Sequence, residues 1–210
     1  MTKKIANLIG LAGQSCAGKN IVADFLEGKG YAVIDADKVA HAVLQEQSGA
    51  VIARFSLYAE RRGLQLQAQE GSLDRKALSV LLFSEPALLA EHESFILPKI
   101  EERIRSLIKT ALNEQPNRPV VLNAPTLHKT SLTQECSFIL YIKAPFVVRL
   151  IRGKRRDNIS LCRLIARFLQ QKDFFAQYLS QNADIVSVVN ARSVRYLRNK
   201  IEHVLREKGF

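Results

Sequence analysis

Residues 13–20 constrain the fold of this chain more than any other segment. They form the loop Gly-Gln-Ser-Cys-Ala-Gly-Lys-Asn between two apolar runs, residues 5–11 and 21–26. A strand, a glycine-bounded loop and a helix are the context in which the pattern G-x-x-x-x-G-K-[ST] binds phosphate, because its backbone N–H groups turn toward the phosphate oxygens and its lysine reaches the outer phosphates. The helix N-terminus adds partial positive charge. The segment therefore predicts a nucleotide-binding loop rather than an incidental glycine turn.

The loop departs from this pattern at its last position. Asn20 stands where a Ser or Thr hydroxyl would ligate magnesium. An amide oxygen can ligate a hard cation or accept a hydrogen bond from a metal-bound water. We therefore expect Asn20 to be a weak metal ligand, acting directly or through water.

The composition predicts a cytoplasmic protein without a membrane segment. Lys3 and Lys4 followed by apolar residues could begin a signal peptide, but that run breaks at Gly13, and a buried strand explains the same residues. No other stretch approaches the ~20 apolar residues of a membrane span. The three cysteines are odd in number and lack metal-type spacing, which indicates a reducing compartment.

The positive charge is concentrated in the last third of the chain. Residues 149–210 contain 14 Lys or Arg against 5 Asp or Glu, a net +9 of the total +11. Such an excess suits a polyphosphate substrate, and it would also suit a nucleic-acid surface. Aromatic residues are sparse in this region and form no stacking platform, so nucleic acid is only a minor alternative.

The remaining apolar pattern predicts an α/β fold. Further buried strands are expected at residues 31–35, 119–123, 137–142 and 183–189, whereas residues 50–55, 75–83 and 86–112 show helical spacing. Continuous apolar strands separated by helices indicate a five-stranded parallel sheet covered on both faces, with a helical insertion over residues 48–112. Ligands bind at the carboxyl ends of such strands, where Gly13, Asp35 and Asn123 are expected.

Asp35 and Asp37 follow the second predicted strand and have two interpretations. One of these carboxylates could accept a hydrogen bond from an attacking hydroxyl, as an aspartate does in kinases. Alternatively, Asp35 is a turn residue and Asp37 a helix N-cap. The spacing by itself leaves both open.

A basic run follows the fourth predicted strand. Five of the nine residues from Arg149 to Asp157 are Lys or Arg, and Gly153 is expected to interrupt the helix that they begin. In phosphoryl-transfer enzymes of this architecture, a mobile lid carries arginines that close over the transferring phosphate. We predict a lid over residues 149–172 in preference to a solvated charged face.

Several segments resemble the dephospho-coenzyme A kinase family over nearly the whole chain. Residues 33–40, Val-Ile-Asp-Ala-Asp-Lys-Val-Ala, are similar to the family's V-I-D-A-D-x-I-A segment. Residues 71–78 and 83–86 are similar to its G-x-L-D-R-x-x-L…F-x-D-P stretch. Arg156-Asp157 resembles the R-D of the lid, and residues 183–190 resemble the closing A-D-x-V-I-x-N.

This resemblance implies a three-layer P-loop NTPase fold and transfer of the ATP γ-phosphate, with Mg²⁺, to the ribose 3′-hydroxyl of dephospho-coenzyme A. It makes Asp37 the general base, Lys19 the ligand of the outer phosphates, and Arg156 the group that neutralises the transferring phosphate. Asp35, Asp37 and Arg75 would bind the acceptor, and the helical insertion would hold its pantetheine arm. The implied ATP-binding residues are Gly13, Gln14, Ser15, Cys16, Ala17, Gly18, Lys19, Asn20, Ile21 and Asn190.

The sequence also departs from the family in ways that keep alternatives open. Besides Asn20, the family's H-P is Leu97-Pro98, its D-x-P is residues 123–125, Asn-Ala-Pro, and the lid is about two residues longer. The alternatives are a nucleoside-monophosphate-type kinase and a catalytically weakened nucleotide- or polyanion-binding protein. The four histidines are scattered and are expected to be structural or surface residues. A monomer or small homo-oligomer is expected.

Overall fold

The computed structural model describes residues 4–68, 71–157, 160–170, 174–179 and 183–210. Residues 69–70 of the predicted insertion, and 158–159 and 171–172 of the predicted lid, lie outside the described residues. The elements in chain order are β1 (Ile5–Gly13), α1 (Lys19–Gly28), β2 (Ala32–Asp35), α2 (Ala36–Glu46), α3 (Ser48–Glu60), α4 (Arg75–Ser84), α5 (Pro86–Glu114), β3 (Val120–Asn123), α6 (Leu132–Glu135), β4 (Cys136–Lys143), α7 (Phe146–Asp157), α8 (Leu161–Gln170), α9 (Phe174–Leu179), β5 (Ile185–Val189) and α10 (Val194–Glu207). A short 3₁₀ helix covers Leu127–Lys129.

The strands form a five-stranded parallel sheet in the order β2-β3-β1-β4-β5, which confirms the predicted fold class. β3 lies between β1 and β2, and its last residue, Asn123, is in register with Leu11 on one side and Asp35 on the other. Because all strands run in one direction, the ends of β1, β2 and β3 meet at one edge of the sheet. The sequence pattern had predicted strand ends at this edge but not which strands are neighbours.

The described residues separate into two compact units. The first comprises Met1–Asp35 and Leu107–Phe210 and contains the sheet. Successive strand residues point to opposite faces, so Leu140 of β4 joins the core that α1 and α10 cover. Its neighbour Tyr141 points to the other face and packs against Tyr178 of α9, with ring centroids 5.4 Å apart. These opposed contacts produce the three layers.

The second unit comprises Ala36–Ser106 and has its own core. Val51, Phe55 and Ala59 recur every four residues on α3 and are fully buried. They pack with leucines of α4. Asp74 caps the N-terminus of α4, because its carboxylate accepts hydrogen bonds from the N–H groups of Lys76 and Ala77. The unit begins earlier than the predicted insertion, because α2 belongs to it.

Helix α7 runs unbroken through Gly153, so the predicted interruption there is wrong. Gly153 is buried, and a Cβ at this position would lie 2.8 Å from Leu164 of α8 and 3.2 Å from the sulfur of Cys16. The glycine therefore serves close packing between α7, α8 and the phosphate loop. A sequence window cannot distinguish this role from helix breaking.

Among the described residues, none of the helices combines the length and the apolarity that a membrane crossing requires.

The buried hydroxyl of Tyr141 predicts a loss of stability in alkali. Burial raises the pKa of Tyr141 to about 12, and its hydroxyl has no hydrogen-bond partner among the described residues. A raised folded-state pKa stabilises the fold below pH 10, and this stabilisation is lost as the pH rises from 10 to 12. Between pH 8 and pH 11, the free energy of unfolding in urea should fall by about 1 kcal/mol less for Tyr141→Phe than for the wild type. The exposed Tyr196→Phe is the control, and an identical pH dependence in both variants would contradict this account.

Candidate phosphate-binding site

The site is built on the close approach of β1 to β4. A Cβ on Gly13 would lie 2.5 Å from the carbonyl oxygen of Ile142, a backbone atom that cannot move aside. The Gln14 N–H donates to the same carbonyl at 3.3 Å. Glycine is therefore required where the chain leaves the sheet and enters the loop.

The loop then reverses at two residues with positive φ. Cys16 has φ 62° and Gly18 has φ 100°, and the Ala17 N–H closes the turn on the Gln14 carbonyl at 3.1 Å. α1 begins at the next residue, Lys19. Residues 13–21 of the predicted nucleotide-binding set therefore form one continuous loop and the first turn of α1, a strand–loop–helix arrangement of the kind that binds anions.

Side chains outside the loop fix the direction of its peptide groups. Asn190, buried just after β5, donates from Nδ2 to the Ala17 carbonyl at 2.8 Å. Arg149 of α7 donates from Nε to the Ser15 carbonyl at 2.9 Å. In a trans peptide the C=O of one residue and the N–H of the next point in opposite directions. Hydrogen bonds to these two carbonyls therefore also restrict the directions of the N–H groups that follow them, those of Cys16 and Gly18.

Arg152 and Arg149 attach α7 to the loop at two places. Arg152 donates from Nη1 to the Ala17 and Asn190 carbonyls, at 3.4 and 3.5 Å. Arg149 is 5% exposed, and its guanidinium lies over the ring of Phe168, 4.1 Å from the ring centroid. Burial lowers the pKa of Arg149 from its ordinary, very high value. The sequence run predicted lid arginines but could not indicate which of them donate hydrogen bonds to the loop.

Asn123 is a site residue that the sequence analysis placed at the correct strand end but did not assign to binding. It is buried, and its Oδ1 accepts a hydrogen bond from the Nζ of Lys19. The lysine ammonium is therefore held at the end of β3, beside the loop. The register of the strands, rather than any motif, brings these two residues together.

Two oxygen-bearing side chains could hold a divalent cation in this unit. Asn20 is exposed in the first turn of α1, and Asp35 ends β2 opposite Asn123. Magnesium uses one or two protein oxygens together with substrate phosphates and water. The amide of Asn20 and the carboxylate of Asp35 are ligands of the type that this requirement calls for.

Arg156 and Asp157 form a pair at the end of α7. The Arg156 guanidinium donates from both Nε and Nη2 to the two carboxylate oxygens of Asp157, and Arg167 of α8 bonds to the same carboxylate. These guanidinium groups lower the pKa of Asp157 to about 2. The pairing orients Arg156, whose side chain remains 58% exposed.

Asp37 and Arg75 belong to the second unit. Asp37 is exposed inside the first turn of α2, which begins at Ala36, so the N-cap interpretation of Asp37 is wrong. A carboxylate there still interacts favourably with the helix dipole. Arg75 is the first residue of α4 and lines an open cavity of about 440 Å³.

The fold and the loop together define a P-loop protein of the small-molecule kinase type, with a separate helical unit inserted after β2. The dephospho-CoA kinase family model matches residues 7–193. The chain belongs to the dephospho-CoA kinase family.

Individual relatives agree with this assignment. The dephospho-CoA kinase of Treponema denticola is 47% identical over 203 residues, covering 97% of this chain and 91% of the relative. The dephospho-CoA kinase of Treponema pallidum is 43% identical over 207 residues, covering 99% and 98%. The crystal structure of TT1252 from Thermus thermophilus superposes with a TM-score of 0.76 at 25% identity, covering 99% of this chain and 98% of the other.

The close approach of Gly18 to Asn190 predicts that one added methyl group at residue 18 will weaken ATP binding. Gly18 has φ 100°, and a Cβ on it would lie under 3.0 Å from the Asn190 Nδ2 that holds the Ala17 carbonyl. We expect Gly18→Ala to weaken ATP binding at least tenfold in calorimetry, because the peptide groups of the loop lose their orientation.

Gly28→Ala is the matched control, since a Cβ at Gly28 meets nothing within 4 Å. It should bind ATP like the wild type. Equal ATP affinities for the two variants would show that the Gly18–Asn190 contact does not shape the loop.

Proposed function

We propose that this protein transfers the γ-phosphate of ATP to the ribose 3′-hydroxyl of dephospho-coenzyme A, giving coenzyme A and ADP, the last step of coenzyme A biosynthesis. The observation that carries the proposal is the loop at residues 13–20, whose Ser15 and Ala17 carbonyls accept hydrogen bonds from Arg149 and Asn190. Such a loop is organised for the phosphates of a nucleotide before the nucleotide arrives. Membership of the family supports the choice of acceptor.

The loop and the start of α1 bind the donor in this proposal. The backbone N–H groups of the loop and the N-terminus of α1 bind the β- and γ-phosphates. Lys19 exchanges its bond to Asn123 for a bond to a phosphate oxygen. Asn190 contributes through the hydrogen bond that its amide donates to the Ala17 carbonyl of the loop.

Asp37 acts as the general base. Its carboxylate accepts the proton of the 3′-hydroxyl as the hydroxyl oxygen bonds to the γ-phosphorus, and the bond from that phosphorus to the ADP oxygen breaks. The family's D-A-D segment supports this role, as does the exposure of Asp37 on α2. Asp35 and Arg75 are proposed to bind the acceptor. The pantetheine arm is assigned to the helical insertion, which contains a cavity of about 710 Å³ beside α3.

Arg156 is proposed to neutralise charge on the transferring phosphate. Its two bonds to Asp157 present the guanidinium in a fixed orientation, and its exposure leaves donors accessible. Mg²⁺ bound with ATP would be held by Asn20, directly or through water, with Asp35 as a further oxygen ligand. The ion would supply charge neutralisation between the β- and γ-phosphates.

The proposal is tested by replacing the base and the phosphate-binding lysine. We expect Asp37→Asn to lower kcat at least 100-fold, with near-normal ATP affinity, because the variant loses proton acceptance and keeps the nucleotide site. Lys19→Ala should abolish turnover and also weaken ATP binding. Release of ADP is followed with dephospho-coenzyme A as acceptor, and calorimetry gives the ATP affinity.

Other outcomes of this assay identify the alternatives. Turnover with a nucleoside monophosphate but not with dephospho-coenzyme A would move the protein to the nucleotide-kinase class. ATP binding without turnover of any acceptor, together with RNA affinity that falls steeply with salt, would indicate a polyanion-binding protein. An unchanged rate in Asp37→Asn would remove Asp37 from the chemistry.

Asn20→Ser tests the proposed metal ligand. A hydroxyl at the start of α1 restores the usual magnesium ligand, so we expect the magnesium-dependent rate to rise and less Mg²⁺ to be needed for tight ATP binding. The second effect is measured by titrating ATP affinity against Mg²⁺ concentration, without turnover. Asn7→Ser, at a half-buried position on β1, is the control for a general effect of this substitution. No difference in Mg²⁺ dependence would exclude Asn20 from metal binding.

A further inference from the structure

The second unit contains a cavity whose lining is suited to an anion. It has a volume of about 440 Å³, and Arg75 lies on it together with five other residues that bear on its chemistry: His41, Gln45, Ser48, Ser72 and Leu73. His41 is exposed on α2, and the sequence alone gave it no function. No acidic residue appears among the described residues that line the cavity.

The acidic side chains closest in sequence to this lining are already engaged. Asp74 accepts hydrogen bonds from the N–H groups of Lys76 and Ala77, at 2.8 and 3.0 Å. Glu46 is bound by both of its oxygens to Arg103, at 2.9 and 2.8 Å. Among the described residues, the cavity therefore combines a guanidinium, an imidazole and hydroxyl groups, and both of these carboxylates have partners.

The spacing along α2 relates this cavity to the proposed base. Asp37, His41 and Gln45 are four residues apart, so they lie on one face of the helix at intervals of about 6 Å. In dephospho-coenzyme A the 3′-hydroxyl and the 5′-diphosphate are carried by one ribose ring, a separation of the same order. A ribose with its 3′-hydroxyl at Asp37 would thus direct its diphosphate along α2 toward His41.

We propose that His41 and Arg75 bind the 5′-diphosphate of the acceptor and so select a nucleoside diphosphate derivative over an acceptor without phosphate. This inference rests on the proposed function, because it takes Asp37 as the point where the 3′-hydroxyl is held. An imidazole N–H of His41 donates to one phosphate oxygen, and the planar guanidinium of Arg75 donates to others. The amide of Gln45 supplies a further donor one turn along α2.

The test compares His41→Ala with His41→Arg. His41→Ala should raise the KM for dephospho-coenzyme A about tenfold, the effect of losing one hydrogen bond to a charged group, with the KM for ATP unchanged. His41→Arg restores a cationic donor and should return the KM to within about threefold of the wild type. A merely structural role of His41 would not be rescued by arginine.

Direct binding separates this inference from the proposed function. Calorimetry without ATP should show about tenfold weaker binding of dephospho-coenzyme A to His41→Ala, and no change in the binding of adenosine, which lacks the diphosphate. His203→Ala is the control, because His203 is exposed on α10 in the other unit and contacts Glu207. It should behave like the wild type in every measurement.

The outcomes are distinguishable. Wild-type binding of dephospho-coenzyme A that depends on His41, but without turnover, would sustain the diphosphate site and overturn the proposed reaction. Turnover with equal affinities in His41→Ala and His203→Ala would overturn the diphosphate site and leave the reaction standing. If His41→Ala weakened the binding of adenosine and of dephospho-coenzyme A by the same factor, the diphosphate site would also be overturned.

Discussion

The hydrogen bonds that side chains donate to the phosphate-loop carbonyls are the constraint on which the site depends. Without these bonds, the peptide group that follows Ser15 or Ala17 could present either its carbonyl oxygen or its N–H to the ligand. Arg149 and Asn190 restrict the direction of these peptide groups, because each donates a hydrogen bond to one of the two carbonyls. The cost of ordering the loop is met during folding, so that less of the binding energy of a nucleotide is needed to organise it.

This arrangement couples the loop to distant parts of the chain. Asn190 follows the last strand, and its N–H is bonded to Lys143 at the end of β4 at 2.7 Å. Arg149 belongs to α7, which packs on the loop because Gly153 lacks a Cβ. A substitution that displaces Asn190 or α7 should therefore alter the phosphate loop through the loss of a hydrogen bond to a backbone carbonyl, rather than through the loss of a contact with the ligand. The same helix carries Arg156, so one element both supports the loop and presents a cation.

The helical unit shows a different use of sequence spacing. Its core includes residues of α3 and α4, and three of the residues proposed to bind the acceptor, Asp37, His41 and Arg75, lie on α2 and at the start of α4. Asp37 and His41 are one helical turn apart, so a single face of α2 carries both the proposed base and the proposed diphosphate ligand. Binding the acceptor along a helix face fixes these two contacts relative to each other, which favours an acceptor with the matching separation.

The sequence by itself determined the parallel sheet, the phosphate loop and the basic segment after β4, because apolar runs, glycine spacing and charge are local properties. It also located Gly13, Asp35 and Asn123 at strand ends. Only the tertiary structure decided that β3 separates β1 from β2, that Asn123 receives Lys19, and that Gly153 packs rather than breaks a helix. Strand order and side-chain contacts join residues that are distant in the sequence, such as Lys19 and Asn123, which are 104 positions apart, and no local pattern encodes which distant partner a side chain will meet.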